Sequence, residues 1–367
     1  MNDRTRVAVV FGGKSGEHEV SLRSAASVVE ALPKDKYEVV LVGITKTGRW
    51  VLGEPAARML AGPSEASAER AVLPADPDRG LVKVDLATGH VRGEPVDVVF
   101  PVLHGTFGED GTIQGLFEMA DLPYVGAGVA ASAVGMDKVL MRDLFRQAGL
   151  PVVDSTFYLR RRWRREPELI MDEVEGRFGY PCFVKPANLG SSVGVSKAHD
   201  RAELAEALAL AARYDRKVVV ERAVNAREIE CSVLGNDEPI ASVPGEIVPS
   251  REFYDYAAKY LDEDSRLLIP APLDDQTAIQ VRELAVRAFK AIDCAGMARV
   301  DFFVDRDDGR VYVNEINTIP GFTSISMYPK LWEASGLPYP QLLDRLIQLA
   351  LERYREKRES ETSFTVG

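Results

Sequence analysis

Cysteine, long apolar runs and surplus positive charge are all scarce in this 367-residue chain. Its three cysteines, Cys182, Cys231 and Cys294, are widely spaced and form no CxxC pair. That excludes a disulfide framework and a cysteine zinc site, and the thiols read as small core residues of a reducing compartment. No apolar run is long enough to span a membrane, and the N-terminus lacks the apolar stretch of a signal peptide. The expectation is therefore a cytoplasmic protein. The net charge of −11 argues against a dominant nucleic-acid role, because phosphate backbones attract basic surfaces. The one basic run, LRRRWRRE at 159–166, reads as an exposed connector before a helix. Internal repeats and low-complexity blocks are also missing.

What is present points to layered α/β structure. The length allows two or three domains with real cores. RVAVVFGG (6–13) reads as a buried parallel strand ending in a glycine turn, VSLRSAASVVEAL (20–32) as a helix, and YEVVLVGI (37–44) as the next strand. That order marks a doubly wound α/β layer. Residues 46–95, rich in Gly, Pro and Ala, read as an insertion before VDVVFPVLHG (96–105) returns to the sheet. A helix follows from Gly111, and the small residues at 126–135 read as a boundary. Beyond it, 137–148 and 201–213 read as helices, and 180–186, 217–222 and 228–235 as strands. A last amphipathic helix covers LPYPQLLDRLIQLALERYRE, and the polar tail KRESETSFTVG reads as mobile.

Two segments carry chemistry. MARVDFFVD (297–305) and RVYVNEI (310–316) are rich in β-branched and aromatic residues, with turn-forming RDDG between them. If the loop centres on Asp308, Asp301 faces Glu315 and Arg299 faces Asn317, and all four share one face. An even-residue turn would break that cluster. Phe303, Val311 and Val313 are expected on the same face, which argues against a merely solvated one. Asp301, Glu315 and Asn317 carry oxygen donors, the ligand type that Mg²⁺ prefers. In KPANLGSSVG (185–194), Lys185 follows an apolar strand and precedes a Gly/Ser loop. There backbone N–H groups can approach phosphate closely. Metal and phosphate grip together point to an ATP-using enzyme.

GGKSGEHEVS, HGTFGEDGTIQG, MDKVLMR, VKPANLGSSVGVSKA, EFYDYAAKY, RVDFF and NEINTIPGFTSISMYP occur in order from residue 6 to about 340. Together they resemble the motif set of the D-alanine–D-alanine ligases, ATP-grasp enzymes of peptidoglycan synthesis. The resemblance implies a three-domain ATP-grasp fold of α/β and α+β parts. An N-terminal doubly wound α/β domain would cover 1–128, a central subdomain 129–224, and a C-terminal subdomain 225–367. It implies ATP-dependent joining of two D-alanine molecules through a D-alanyl phosphate, with two Mg²⁺ ions for which Mn²⁺ could substitute. The expected partners are small molecules, with no nucleic acid or membrane, and the family expectation is a homodimer.

The resemblance also assigns roles. Asp301, Glu315 and Asn317 resemble the metal ligands. Lys138 and Lys185, with Ser192 in the Gly/Ser loop, resemble the phosphate grip. Glu221 and Glu228 resemble the adenine and ribose contacts. Glu17 resembles the anion for the first D-alanine ammonium, with His104 as a neighbouring substrate contact and Ser191 and Tyr260 as hydrogen-bonding partners of Glu17. Arg299 and the Gly321 N–H resemble the oxyanion stabilisers. Ser326, the Met327 backbone and Lys259 resemble the donors to the second D-alanine carboxylate. Residues 251–266 resemble a mobile lid, whose Tyr260 favours an amine over a hydroxy acid as second substrate. D-Ala–D-Ser or D-Ala–D-lactate ligation is the alternative. A non-catalytic ATP-binding regulator is disfavoured because no metal ligand is missing.

Overall fold

The computed structural model describes residues 4–62, 69–77, 80–248 and 266–361. Lys259, Tyr260, nearly all of the expected lid and the end of the polar tail lie outside these residues. Thr5–Gly12 runs parallel to Tyr37–Ile44 on one side and to Val98–Val102 on the other. The short strand Trp50–Leu52 closes the edge antiparallel. Residues Val7, Val9 and Phe11 are buried on one face of the central strand and Ala8 and Val10 on the other, so it reads as one continuous apolar run. Helices His18–Ala31 and Glu54–Ala61 cover one face and Thr112–Met119 the other, as a doubly wound layer requires. The insertion at 46–95 also carries its own three-stranded sheet, Glu69–Val72, Leu81–Asp85 and Val91–Glu94.

A second sheet orders Ser196–Ala198, Cys182–Pro186, Lys217–Arg222 and Ser155–Leu159. Helices Pro167–Phe178 and Arg201–Tyr214 pack on its apolar face. The basic run expected as a connector is a short helix, Arg160–Arg165. Trp163 packs against this core.

The third sheet has Ala226–Gly235 at its centre, with Gly296–Asp305 and Val311–Asn317 on one side and Gly245–Val248 and Arg266–Leu268 on the other. The small-residue stretch expected as a boundary contains the helix Val129–Met136. That helix, Lys138–Gln147 and Asp275–Ala291 share one core with this sheet. The final helix, Tyr339–Lys357, crosses back onto the first sheet, where Leu342, Leu346 and Ile347 pack with Val9 and Phe100. Phe322 meets Phe100 edge-on at 5.8 Å and Tyr328 at 5.5 Å. Such pairs contribute about 1 kcal/mol each beyond their buried area. They seat the segment after Asn317 on the N-terminal layer. Among the described residues no helix is long and apolar enough to cross a membrane.

Candidate functional site

The carboxylate hairpin forms with the expected pairing and an unexpected turn. Asp301 faces Glu315 and Arg299 faces Asn317. Nearer the turn, however, Phe302 faces Val313 and Val304 faces Val311, the register of an even-residue turn. A β-bulge between the two halves, with Asn314 as the extra residue, restores the cluster. The bulge also corrects the expected placement of Val311 and Val313. They lie in the core with Phe302, while Arg299, Asp301, Phe303, Glu315 and Asn317 stay on the partly exposed face.

On that face Arg299 grips Asp301 with two parallel bonds of 2.7 Å and lies 3.0 Å from Glu230 on the next strand. Asn317 Nδ2 donates to Asp301 Oδ2 at 3.0 Å, which leaves the amide oxygen as the ligating atom. Burial disfavours the Arg299 charge, but Asp301 and Glu230 outweigh it and hold the guanidinium firmly protonated. Among the described residues no group of three or more His, Cys, Asp or Glu side chains is placed to hold a metal. The hairpin offers two carboxylates and one amide. That donor set fits a hard cation that draws its remaining ligands from phosphate and water.

Two lysines border this face. Helix Lys138–Gln147 begins at Asp137, whose carboxylate accepts from the N–H groups of Val139 and Leu140. Asp137 also pairs with Lys217, tying the helix start to the second sheet. Lys138 Nζ donates to the Leu189 carbonyl at 2.8 Å and lies 3.4 Å from Glu315. Lys185 Nζ lies 2.6 Å from Glu221 Oε1. The other Glu221 oxygen accepts from Arg142. Burial alone would raise the Glu221 carboxyl, but Arg142 and Lys185 outweigh it and hold it below the usual range. Burial, with Arg142 adding to it, pushes the Lys185 ammonium below its ordinary value. Glu228 lies on the neighbouring sheet, facing Phe303 in register.

The Gly/Ser loop lies between Lys138 and the start of helix His18–Ala31. Ser191 and Ser192 both take positive φ, +50° and +57°. Such strain costs about 1–3 kcal/mol per residue and gathers where function requires it. Ser191 donates to Glu17, which stands at the start of helix His18–Ala31. Glu17 is held close between glycines. A Cβ at Gly105 would collide with its carboxylate, and one at Gly190 would touch it at 3.5 Å.

His104 is buried, and protein groups engage both ring nitrogens. Nδ1 contacts the Ile319 carbonyl and Nε2 the Ser24 hydroxyl, each at 3.0 Å. Since a carbonyl only accepts, Nδ1 carries a proton. Burial opposes the charged ring, but Glu109 and Glu17 outweigh it and raise the His104 pKa. Burial raises Glu109 in turn, with Glu17 adding to the effect against His104. His104 thus ties helix His18–Ala31 to the segment leading to Gly321. At Gly321 an added Cβ would come 2.7 Å from Ser326 Oγ. Ser326 accepts from the Thr323 N–H at 3.0 Å and precedes helix Met327–Ala334, where Met327 is buried.

Sequence reasoning missed Arg142, Glu230 and Glu109. Arg142 lies four residues beyond Lys138 in MDKVLMR, one helical turn away, and that spacing was the available signal. Glu230 and Glu109 carried no signal, because their roles come from strands and loops meeting in space.

Residues 6–127 match the family described as D-ala D-ala ligase N-terminus, and residues 144–348 the D-ala D-ala ligase C-terminus. The chain is 57% identical over 357 residues to the D-alanine–D-alanine ligase of Heliobacterium modesticaldum, covering 97% of each chain. It is 52% identical over 369 residues to that of Acetivibrio thermocellus, covering 97% of this chain and 98% of the other. Among solved structures, the D-alanine-D-alanine ligase from Coxiella burnetii is 40% identical with a TM-score of 0.84, over 97% of both chains. The VanG D-Ala:D-Ser ligase from Enterococcus faecalis is 38% identical with a TM-score of 0.83, covering 95% of this chain and 99% of the other.

Proposed function

The chain belongs to the D-alanine–D-alanine ligase family, and from that premise we propose how its residues divide the work. The enzyme joins two D-alanine molecules into D-alanyl-D-alanine for peptidoglycan synthesis, using ATP and an ATP-grasp fold. A carboxylate is a poor electrophile, because oxide would have to leave. Transfer of the ATP γ-phosphoryl group makes the first D-alanine an acyl phosphate. The neutral amine of the second D-alanine attacks the acyl carbon, and the tetrahedral intermediate expels phosphate.

In this reading Lys138, Lys185 and the loop around Ser192 hold the ATP phosphates, and Glu221 and Glu228 hold adenine and ribose. Each Glu221 oxygen keeps a lone pair beyond its ion pair, so an adenine amino group has an acceptor. Glu17, fixed by Ser191, takes the first D-alanine ammonium, and Tyr260 closes this network. Arg299 and the Gly321 N–H stabilise the oxyanion. Ser326, the Met327 backbone and Lys259 receive the second carboxylate. His104, with both nitrogens engaged, acts by positioning rather than by direct contact. Asp301, Glu315 and Asn317 would hold Mg²⁺, two ions in all, with Mn²⁺ able to substitute. Bound there, the cation supplies charge compensation for the phosphates. The division at 128 and 224, a homodimer and a cytoplasmic location belong to the same proposal.

One observation carries the reading. Glu17 meets Ser191, Leu189 of the same loop meets Lys138, and Lys138 meets Glu315, so one chain of contacts joins the amino-acid, phosphate and metal groups. The likeness to a D-Ala:D-Ser ligase favours D-serine as a second substrate to test. Phosphate release with D-Ala, L-Ala, D-Ser and D-lactate, with products identified by mass spectrometry, decides among them. D-alanyl-D-alanine as main product is the expected result. Dominant depsipeptide from D-lactate overturns the assignment.

A further inference from the structure

Arg142 is one of the largest fully buried side chains, 2% exposed. A buried guanidinium normally spends its five donors on acceptors. Here Nη2 bonds Glu221, while Nε and Nη1 have no partner among the described residues. Buried polar atoms left unpaired in a native structure call for an explanation.

The one bond that Arg142 does make belongs to a larger arrangement. Lys138 and Arg142 are four apart on one helix and so point from one face, and both are buried. Beneath them, Lys217, Val219 and Glu221 alternate onto one face of their strand. Lys185 lies opposite Val219 in register, which makes it the diagonal neighbour of Glu221. Asp137–Lys217 pins the helix to the strand at one end and Arg142–Glu221 pins it one turn further on. The two lysines are held differently. Lys138 has the Leu189 carbonyl and Glu315. Among the described residues Lys185 has Glu221 as its ion-pair partner, and the other Glu221 oxygen is bonded by Arg142.

We propose that Arg142 is a positioning residue for the nucleotide cleft, fixing Glu221 so that the carboxylate aims the Lys185 ammonium at the ATP phosphates. It acts through Glu221 and touches no reacting atom. A single donor, Nη2, holds one Glu221 oxygen and leaves the other to Lys185, and the rigid plane of the buried guanidinium fixes the direction of that bond. The inference rests on the ATP reading of Lys185 given above.

The test is a double-mutant cycle of Arg142→Met and Lys185→Met, read as KM for ATP and for D-alanine and as direct binding of MgATP, with thermal melts of every protein. Arg142→Met is expected to raise the ATP KM about tenfold or more and leave the D-alanine KM within about twofold. Arg142→Lys, which keeps the charge but not the rigid planar group, should recover only part of the loss. On the Lys185→Met background, removal of Arg142 should cost little more, because residues acting as one unit are non-additive. An ATP KM within about twofold of wild type in both Arg142 variants, or full additivity in the cycle, overturns the proposal. If Arg142→Met does not fold, Arg142→Lys alone decides, and an unchanged ATP KM there also overturns it. Normal ATP binding by Lys185→Met would instead remove the ATP reading on which it rests.

Discussion

Lys138 Nζ lies 3.4 Å from Glu315 Oε2, so the lysine proposed to grip phosphate and the carboxylate proposed to hold the metal balance each other before any ligand arrives. A bound nucleotide and cation would divide that pair between them. Glu315→Gln keeps the shape of the side chain and removes its charge. The expected result is a loss of turnover of roughly a thousandfold at saturating Mg²⁺, the several kcal/mol that metal-ion charge compensation supplies. The melting temperature should move little. Near-normal Mg²⁺-dependent turnover would remove Glu315 from the metal site.

Ser191 donates to Glu17 across the cleft mouth. Hydrogen bonds to charged groups are worth about 1.5–3 kcal/mol, so Ser191→Ala should lower kcat/KM for the first D-alanine by about 10- to 100-fold. ATP affinity should hold, because the hydroxyl donates to Glu17, which is proposed to serve D-alanine rather than ATP. A matching loss in ATP binding would show that the substitution had deformed the whole loop.

Gly105 has φ +75°, and an added Cβ would run into the Glu17 carboxylate. Gly105→Ala therefore combines a backbone penalty of about 1–2 kcal/mol with displacement of Glu17. Activity should fall at least about tenfold, mainly through D-alanine, with a modest drop in melting temperature. Wild-type D-alanine kinetics in the alanine variant would mean that the carboxylate can move aside without consequence.

Glu221 has a folded-state pKa below its ordinary value of 4.5, burial being outweighed by Arg142 and Lys185. A depressed carboxyl pKa contributes stability that is present above pH 4.5 and lost as pH falls through the lower folded value. Urea melts of wild type and Glu221→Gln should show a stability gap that is constant above that pH and narrows below it. A gap that stays constant under acid would show that Glu221 titrates no differently in the folded protein.

The hairpin shows where sequence stops and tertiary structure begins. Strand alternation with a loop centred on Asp308 led to the pairing of Asp301 with Glu315 and Arg299 with Asn317, but the turn itself has the even register and only the bulge restores those pairs. Ordered motifs sufficed for the family, and apolar strands for the doubly wound layer. These signals are local, since each is carried by residues close together in the chain. The bulge at Asn314 is not local in that sense. Val311 and Val313 turn inward because a core shared with Phe302 and Val304 rewards their burial, and one extra residue lets Glu315 still face out. The same limit applies to Arg142 and Glu221. Their types are common surface residues in sequence, and only the packing of helix Lys138–Gln147 on strand Lys217–Arg222 takes both from water and makes each the other's counter-ion. Periodicity along the chain sets which face a side chain leaves from, while the charge it meets there depends on elements distant in sequence.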